Sequence, residues 1–176
     1  AACTLAMLDR NEGAQVLLEA LRKRDETLPA PPEKQGDPPW MRKLFTPRWM
    51  TAMPLLGRLG HQPAVPELID VIEGPIEHPD AHIAAVRALA RIGDTAAVEP
   101  LGRLVRRDDL PGPMRREGIG DGVEIDTTWK LPLAVADALR QLGEPDPEIT
   151  EPYLDHPHGH VRRYARRIHG AAATAV

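Results

Sequence analysis

The stretch His78-Pro79-Asp80-Ala81-His82-Ile83-Ala84-Ala85-Val86-Arg87-Ala88-Leu89-Ala90-Arg91-Ile92-Gly93-Asp94-Thr95-Ala96-Ala97-Val98 decides the fold. Ile83, Val86, Leu89, Ala90 and Ile92 fall on one stripe, at the spacing of an amphipathic helix. Asp80 or His78 can start that helix, and Gly93 stands where a helix ends on a left-handed residue. Asp94 and Thr95 can cap a second helix, whose stripe is Val98, Leu101, Leu104 and Val105. Pro100 lies in the first turn of that helix, where an N–H has no partner to lose. The unit is therefore helix, tight turn, helix.

The same punctuation returns on either side. Leu59-Gly60-His61 and Leu142-Gly143-Glu144 close apolar runs as Ile92-Gly93-Asp94 does. Each is followed by a second run with an early proline, Ala64-Val65-Pro66-Glu67-Leu68 and Ile149-Thr150-Glu151-Pro152-Tyr153-Leu154. Met50, Met53, Leu56 and Leu59 face inward in the earlier row, where Pro54 is expected to kink the helix. Leu131, Val135, Ala138, Leu139 and Leu142 do so in the later one. A degenerate copy opens the chain, Leu5-Ala6-Met7-Leu8-Asp9 and then Ala14-Gln15-Val16-Leu17-Leu18. One more start, His156-Pro157-His158-Gly159-His160-Val161, repeats the pattern of His78 to Ile83 and continues through Tyr164, Ala165 and Ile168. Such self-similarity means stacked helix pairs that bury their apolar faces on their neighbours. The expected fold is all-α: a single-domain α-solenoid of antiparallel helix pairs over residues 1–176, interrupted by two long inter-repeat loops.

The stretch from His78 to Val98, together with Val161-Arg162-Arg163-Tyr164-Ala165, resembles the HEAT-type repeats, especially the short bacterial subgroup of the phycobilisome lyases. The resemblance covers most of the chain. It implies an α-solenoid whose usual roles are scaffolding and partner binding, with a minority of enzymes or enzyme subunits. The row from Trp129-Lys130-Leu131 to Gly143, with the segments after it, is also similar to HEAT-like tails on larger bacterial enzymes, flavin-dependent oxidoreductases among them. The start Ala1-Ala2-Cys3 lacks an initiator Met, and the last first helix has no mate. A segment of a longer chain is expected.

Composition agrees with repeated helices. Hydrophobic residues make up 42% of the 176 and aromatics only 3%, so the core is Ala, Leu, Val and Ile, poor material for an aromatic-rich sheet sandwich. The one cysteine, Cys3, excludes a disulfide framework and a zinc cluster built on cysteine pairs. No run approaches the roughly 18 apolar residues of a membrane span, and there is no charged-then-apolar leader. A cytoplasmic protein without a membrane partner is expected.

Two inserts, residues 26–45 and 108–127, break the period. Each follows a second helix and precedes the next first helix, so both should emerge on one edge, the side where repeat proteins often bind. A slack surface loop is the plain alternative. Trp40 in the first insert and Arg115 and Arg116 in the second are candidate binding residues, although Trp40, Met41 and Phe45 can equally fold back onto the helices. From His156 onward the chain has four arginines and no acid, against a net charge of −4 overall. Arg162, Arg163, Arg166 and Arg167 bracket the last apolar stripe and could dock an acidic partner surface or a phosphate. The plain alternative is a solvated flank that complements the helix dipole. Nucleic acid is disfavoured by the acidic remainder and the scarcity of aromatics for base stacking.

Other motifs carry less. His156, His158 and His160 alternate as zinc or nickel ligands could, but His156 and His160 share columns with His78 and His82, which reads as turn and helix-start residues. Neither a metal nor a cofactor is expected. Gly118-Ile119-Gly120-Asp121-Gly122 lacks the strand, spacing and lysine of a phosphate loop, and Asp121, Glu124 and Asp126 lack calcium-loop spacing. No Ser-His-Asp order, paired carboxylates or activated cysteine supports catalysis. The expected function is protein binding or scaffolding, the partner being another protein or the rest of a larger polypeptide. The alternative is an enzyme or enzyme subunit, of a lyase, flavin-oxidoreductase-associated or nucleic-acid repair type, that uses the solenoid groove. Catalysis requires a polar cluster converging in that groove, whereas scaffolding requires scattered charges and apolar rims.

Overall fold

Seven α-helices follow one another along the described part of the chain: α1 (Ala14–Lys23), α2 (Arg48–Arg58), α3 (Val65–Glu73), α4 (Pro79–Ile92), α5 (Val98–Val105), α6 (Lys130–Gln141) and α7 (Gly159–Ala173). The computed structural model describes Cys3 and residues 11–24, 47–116 and 123–173. Short 3-10 turns, Gln62–Ala64 and Thr95–Ala97, lead from α2 into α3 and from α4 into α5. The first helices α2, α4, α6 and α7 pack side by side in that order. The second helices lie behind them: α1 against α2, α3 against α4 and α5, and α5 against α6. This is an all-α solenoid, as the glycine-punctuated period demands.

Gly60, Gly93 and Gly143 carry φ of 60°, 79° and 88°, the left-handed backbone that lets each first helix stop and turn at once. The Asp94 carboxylate accepts the Ala96 N–H at 2.9 Å, and Asp146 accepts that of Glu148 at 3.2 Å, so each next element begins capped. Along α4, Ala81, Ile83, Ala85, Val86, Ala88, Leu89, Ala90 and Ile92 are all buried, because neighbours lie on both sides as well as behind. Small residues permit this. A Cβ added to Gly57 of α2 would lie 2.6 Å from the Ala88 Cα of α4. α6 also faces two ways. Leu131, Ala134, Val135, Ala138 and Leu139 join the main core, while Leu133 and Ala136 form a second one with Val161, Ala165 and Ile168 of α7.

The structure departs from the sequence expectation in three places. The run Ile149 to Leu154 is no second α-helix but two 3-10 turns, Pro147–Ile149 and Glu151–Tyr153. Pro147 and Pro152 remove backbone donors there, and buried Thr150 ties the turns down, its Oγ1 2.8 Å from the Pro147 carbonyl and 2.8 Å from His169 Nδ1. The second insert is not all loop, since β1 (Met114–Arg116) and β2 (Val123–Ile125) pair antiparallel with Met114 opposite Ile125. The histidine columns are out of step by two residues. His158, not His156, takes the place of His78: its carbonyl accepts the N–H groups of Val161 and Arg162 as that of His78 accepts those of Ala81 and His82. Gly159 then opens α7 where Pro79 opens α4, and buried Val161 and Ala165 match Ala81 and Ala85.

The first insert, with Trp40, lies outside the described residues, as does the stretch Gly118 to Gly122. Among the described residues no helix is long and apolar enough to cross a membrane.

Candidate functional site: the row of first helices

Charge is divided between the two rows of the solenoid. The first helices carry Arg48 and Arg58 on α2, Arg87 and Arg91 on α4, Lys130 and Arg140 on α6 and four arginines on α7; their only acids are Asp80 and Asp137. The second elements from α3 onward reverse this. Glu67, Asp70 and Glu73 lie on α3, Glu99 on α5, and Asp146, Glu148 and Glu151 on the last turns, with Arg103 as the one cation on these elements.

Five of these second-row acids, Glu67, Asp70, Glu73, Glu99 and Asp146, have arginine partners. Arg22 pairs with Glu67 at 2.8 Å, Arg24 with Asp70, Arg103 with Glu73 and Glu99, and Arg106 with Asp146 at 3.1 Å. All four of these arginines reach from one repeat unit to the next. Arg107 adds another tie: its Nη1 donates to the carbonyls of Ile72, Glu73 and Gly74 at 3.3, 3.4 and 2.7 Å, closing the C-terminus of α3. Its other nitrogens bind Asp109 and hold that carboxyl below its usual range. Beside this tie, His82 is 3% exposed, and burial pushes its pKa below the ordinary histidine value.

The first row is different. Arg87, Arg91 and Arg163 are exposed and have no ion-pair partner among the described residues. Two of them join a groove of about 390 Å³ between α4, α6 and α7, lined by Arg87, Ala90 and Arg91, by Ala134, Asp137, Ala138 and Gln141, and by Tyr164 and Arg167. Asp137 Oδ1 accepts Arg140 Nε at 3.2 Å and Nη2 at 2.9 Å, and its Oδ2 is 3.5 Å from the Tyr164 hydroxyl. The Arg167 guanidinium stands 5.1 Å from the Tyr164 ring centre, a cation–π contact. Burial, and then the Asp137 charge, push the Tyr164 pKa up, so this phenol keeps its proton and can donate.

The four arginines singled out on α7 divide into two pairs. Arg162 Nη1 donates to the carbonyls of His156 and Pro157 at 2.6 and 2.9 Å; Arg166 reaches the Leu154 carbonyl and Asp155 Oδ1, each at 3.2 Å. These two fasten the approach to the helix. Arg163 is exposed, and Arg167 lines the groove with Arg87 and Arg91. Arg115 and Arg116 stand opposite Glu124 and Val123 in the hairpin, and their side chains lie outside the described part.

The three histidines do not converge. Their rings follow one another at 5.4 Å and 5.7 Å between centres, and His160 meets the edge of Trp129. Nε2 of His156 is 2.8 Å from Asp126 Oδ2, and its Nδ1 accepts the His158 N–H at 3.2 Å, so both nitrogens are engaged. Asp126 also accepts the hydroxyl and N–H of Thr128 at 2.7 and 3.1 Å, which, with His156, hold its carboxyl below the usual range. Among the described residues no group of three or more His, Cys, Asp or Glu is arranged to hold a metal ion.

The sequence reading passed over Arg87, Arg91, Asp137, Gln141 and Tyr164. Counting back from each helix-closing glycine would have found most of them. Arg58, Arg91 and Gln141 stand two places before it, and Arg87 and Asp137 stand six places before it. Stacked repeats bring such columns side by side.

Residues 82–107 match the family model of the PBS lyase HEAT-like repeat. This stretch is a PBS lyase HEAT-like repeat. It takes in nearly all of α4 and the whole of α5. Among solved structures the chain is similar to one from the complex of CpcE and CpcF of phycocyanin lyase from Nostoc sp. PCC7120. The two share 23% identity and a TM-score of 0.63 over 98% of this chain and 58% of that one. At that identity the likeness is one of fold, and this chain spans 58% of the length of the other. No curated protein matches the sequence.

Proposed function

We propose that this HEAT-like solenoid is a protein-binding domain, a scaffold or the tail of a larger polypeptide, and that it docks an acidic partner surface on the row of first helices. The division of charge supports this reading best. Five second-row acids are paired with arginines within the fold, whereas Arg87, Arg91 and Arg163 are exposed and have no ion-pair partner among the described residues. Ordering such side chains against a partner's carboxylates gives specificity and a salt-sensitive on-rate. The reading is tested on the partner recovered from the source cells. Replacing Arg91, Arg163 and Arg167 together by Gln should abolish its binding at low salt while leaving the melting temperature unchanged. Binding that survives the triple substitution excludes this face.

A second reading, a subunit of a lyase-type enzyme, is supported by the polar cluster of Asp137, Tyr164 and Arg167 in the groove, with Arg140 bound to Asp137. Tyr164→Phe separates the two readings, because it keeps the ring beneath Arg167 and removes only the hydroxyl. Docking expects unchanged partner binding, and a catalytic role expects lost turnover in the assembled enzyme.

A further inference from the structure

We propose that the groove between α4, α6 and α7 is an oxyanion subsite, which takes one doubly charged group, a phosphoryl or a pair of carboxylates, presented by the docking partner. The proposal rests on the reading of the first row as a docking face and gives that face its anchor point.

Arg87 and Arg91 stand one helical turn apart on α4, and residues so spaced are neighbours, roughly 5–6 Å apart at Cβ. Arg167 faces them from α7, held over the Tyr164 ring and so partly ordered before any ligand arrives. Ala90, Ala134 and Ala138 line the space between with methyl groups, and the side chains that ring the groove leave about 390 Å³ open. Gln141 adds a neutral donor. Asp137, the one acid present, is bound by Arg140 and approached by Tyr164, so its charge is already answered. Elsewhere Arg22, Arg24, Arg103, Arg106 and Arg107 all have carboxylate partners. Three arginines lining one groove whose own acid is occupied supply guanidinium donors for planar or tetrahedral oxyanions.

Amide and arginine side-chain NMR of the whole chain tests this with inorganic phosphate, glutarate and chloride added at matched ionic strength. Saturable shifts are expected at Arg87, Arg91, Gln141 and Arg167 with phosphate, with glutarate or with both, and none with chloride. Saturation by phosphate alone assigns a phosphoryl group; saturation by glutarate assigns the carboxylate pair. R91Q should weaken the response at least tenfold without changing the melting temperature, R87Q should do the same, and R22Q should leave it intact. Shifts spread over all arginines, a response that never saturates, an equal response to chloride, or an adventitious ion only, undiminished in R91Q, would overturn the subsite. If anion binding fails while the triple substitution of Arg91, Arg163 and Arg167 still abolishes partner binding, the subsite falls and the docking face stands. If phosphate binds and the partner ignores the triple substitution, the subsite stands and the docking face falls.

Discussion

The two rows of this solenoid use arginine in opposite ways. On the second row, Arg22, Arg24, Arg103 and Arg106 join one repeat to the next through acids of the neighbouring element. On the first row, cohesion comes from close packing of glycine, alanine and leucine, and Arg87, Arg91 and Arg163 are left facing water. Where helices approach closely enough to be held by packing, polar links between them are unnecessary and the outward charges are available to a partner. Between the second helices, side-chain ties add to the packing. The difference separates a surface that holds the fold together from one that can bind.

The sharpest way to break this contrast is one substitution made in both rows. Gly57→Ala drives a Cβ to 2.6 Å from the Ala88 backbone and should cost about 1–3 kcal/mol in urea unfolding. Gly102→Ala on α5 meets only the tip of the Arg106 side chain at 3.2 Å and should stabilise by up to about 0.5–1 kcal/mol through helix propensity. Equal effects at the two sites would mean that the rows pack alike. Next in size, Arg107→Met leaves the carbonyls at the end of α3 without their donor and should cost about 1 kcal/mol. Hydrogen exchange should then quicken at the end of α3 before it does elsewhere.

A smaller effect follows from pH. His82 is buried beside Arg107 and Asp109, and that burial holds its folded pKa below the ordinary histidine value of about 6.5, so the unfolded chain takes up a proton more readily. Its contribution to stability is therefore complete above pH 6.5 and is lost as pH falls through the folded value. Urea midpoints measured from pH 8 down to 5 should fall, less steeply in His82→Gln; an unchanged slope would remove His82 as the cause. Smallest of all, Arg103→Gln breaks an exposed pair of links and should lower stability only slightly, by an amount that vanishes in high salt.

Much of the fold is legible in the sequence because the signals are local. Gly60, Gly93 and Gly143 announce left-handed helix ends, and the stripe of Ile83, Val86 and Leu89 announces a buried face. What escapes a local reading depends on neighbours. Leu133 and Ala136 lie off the inward stripe of α6 and are buried all the same, since α7 covers a second face. The turns at 147–153 look like a helix in apolar pattern alone; their prolines and the buried Thr150 decide otherwise. At the site, the arginines of α7 are visible as a cluster, but nothing within one helix tells which will be tied to carbonyls, as Arg162 and Arg166 are. The groove joins residues of three helices, two of them separated by an insert, and emerges only when the repeats are stacked column by column.

The division of labour between the rows can be measured directly by NMR mapping of a short poly-glutamate peptide titrated into the whole chain at low and high salt. Shifts should gather on Arg87, Arg91, Gln141, Arg163 and Arg167, disappear at about 1 M salt, where the screening length is roughly 3 Å, and be lost in the triple substitution of Arg91, Arg163 and Arg167. Shifts centred on the second row around Arg22 and Arg103, or a first-row response indifferent to salt and to that substitution, would contradict it.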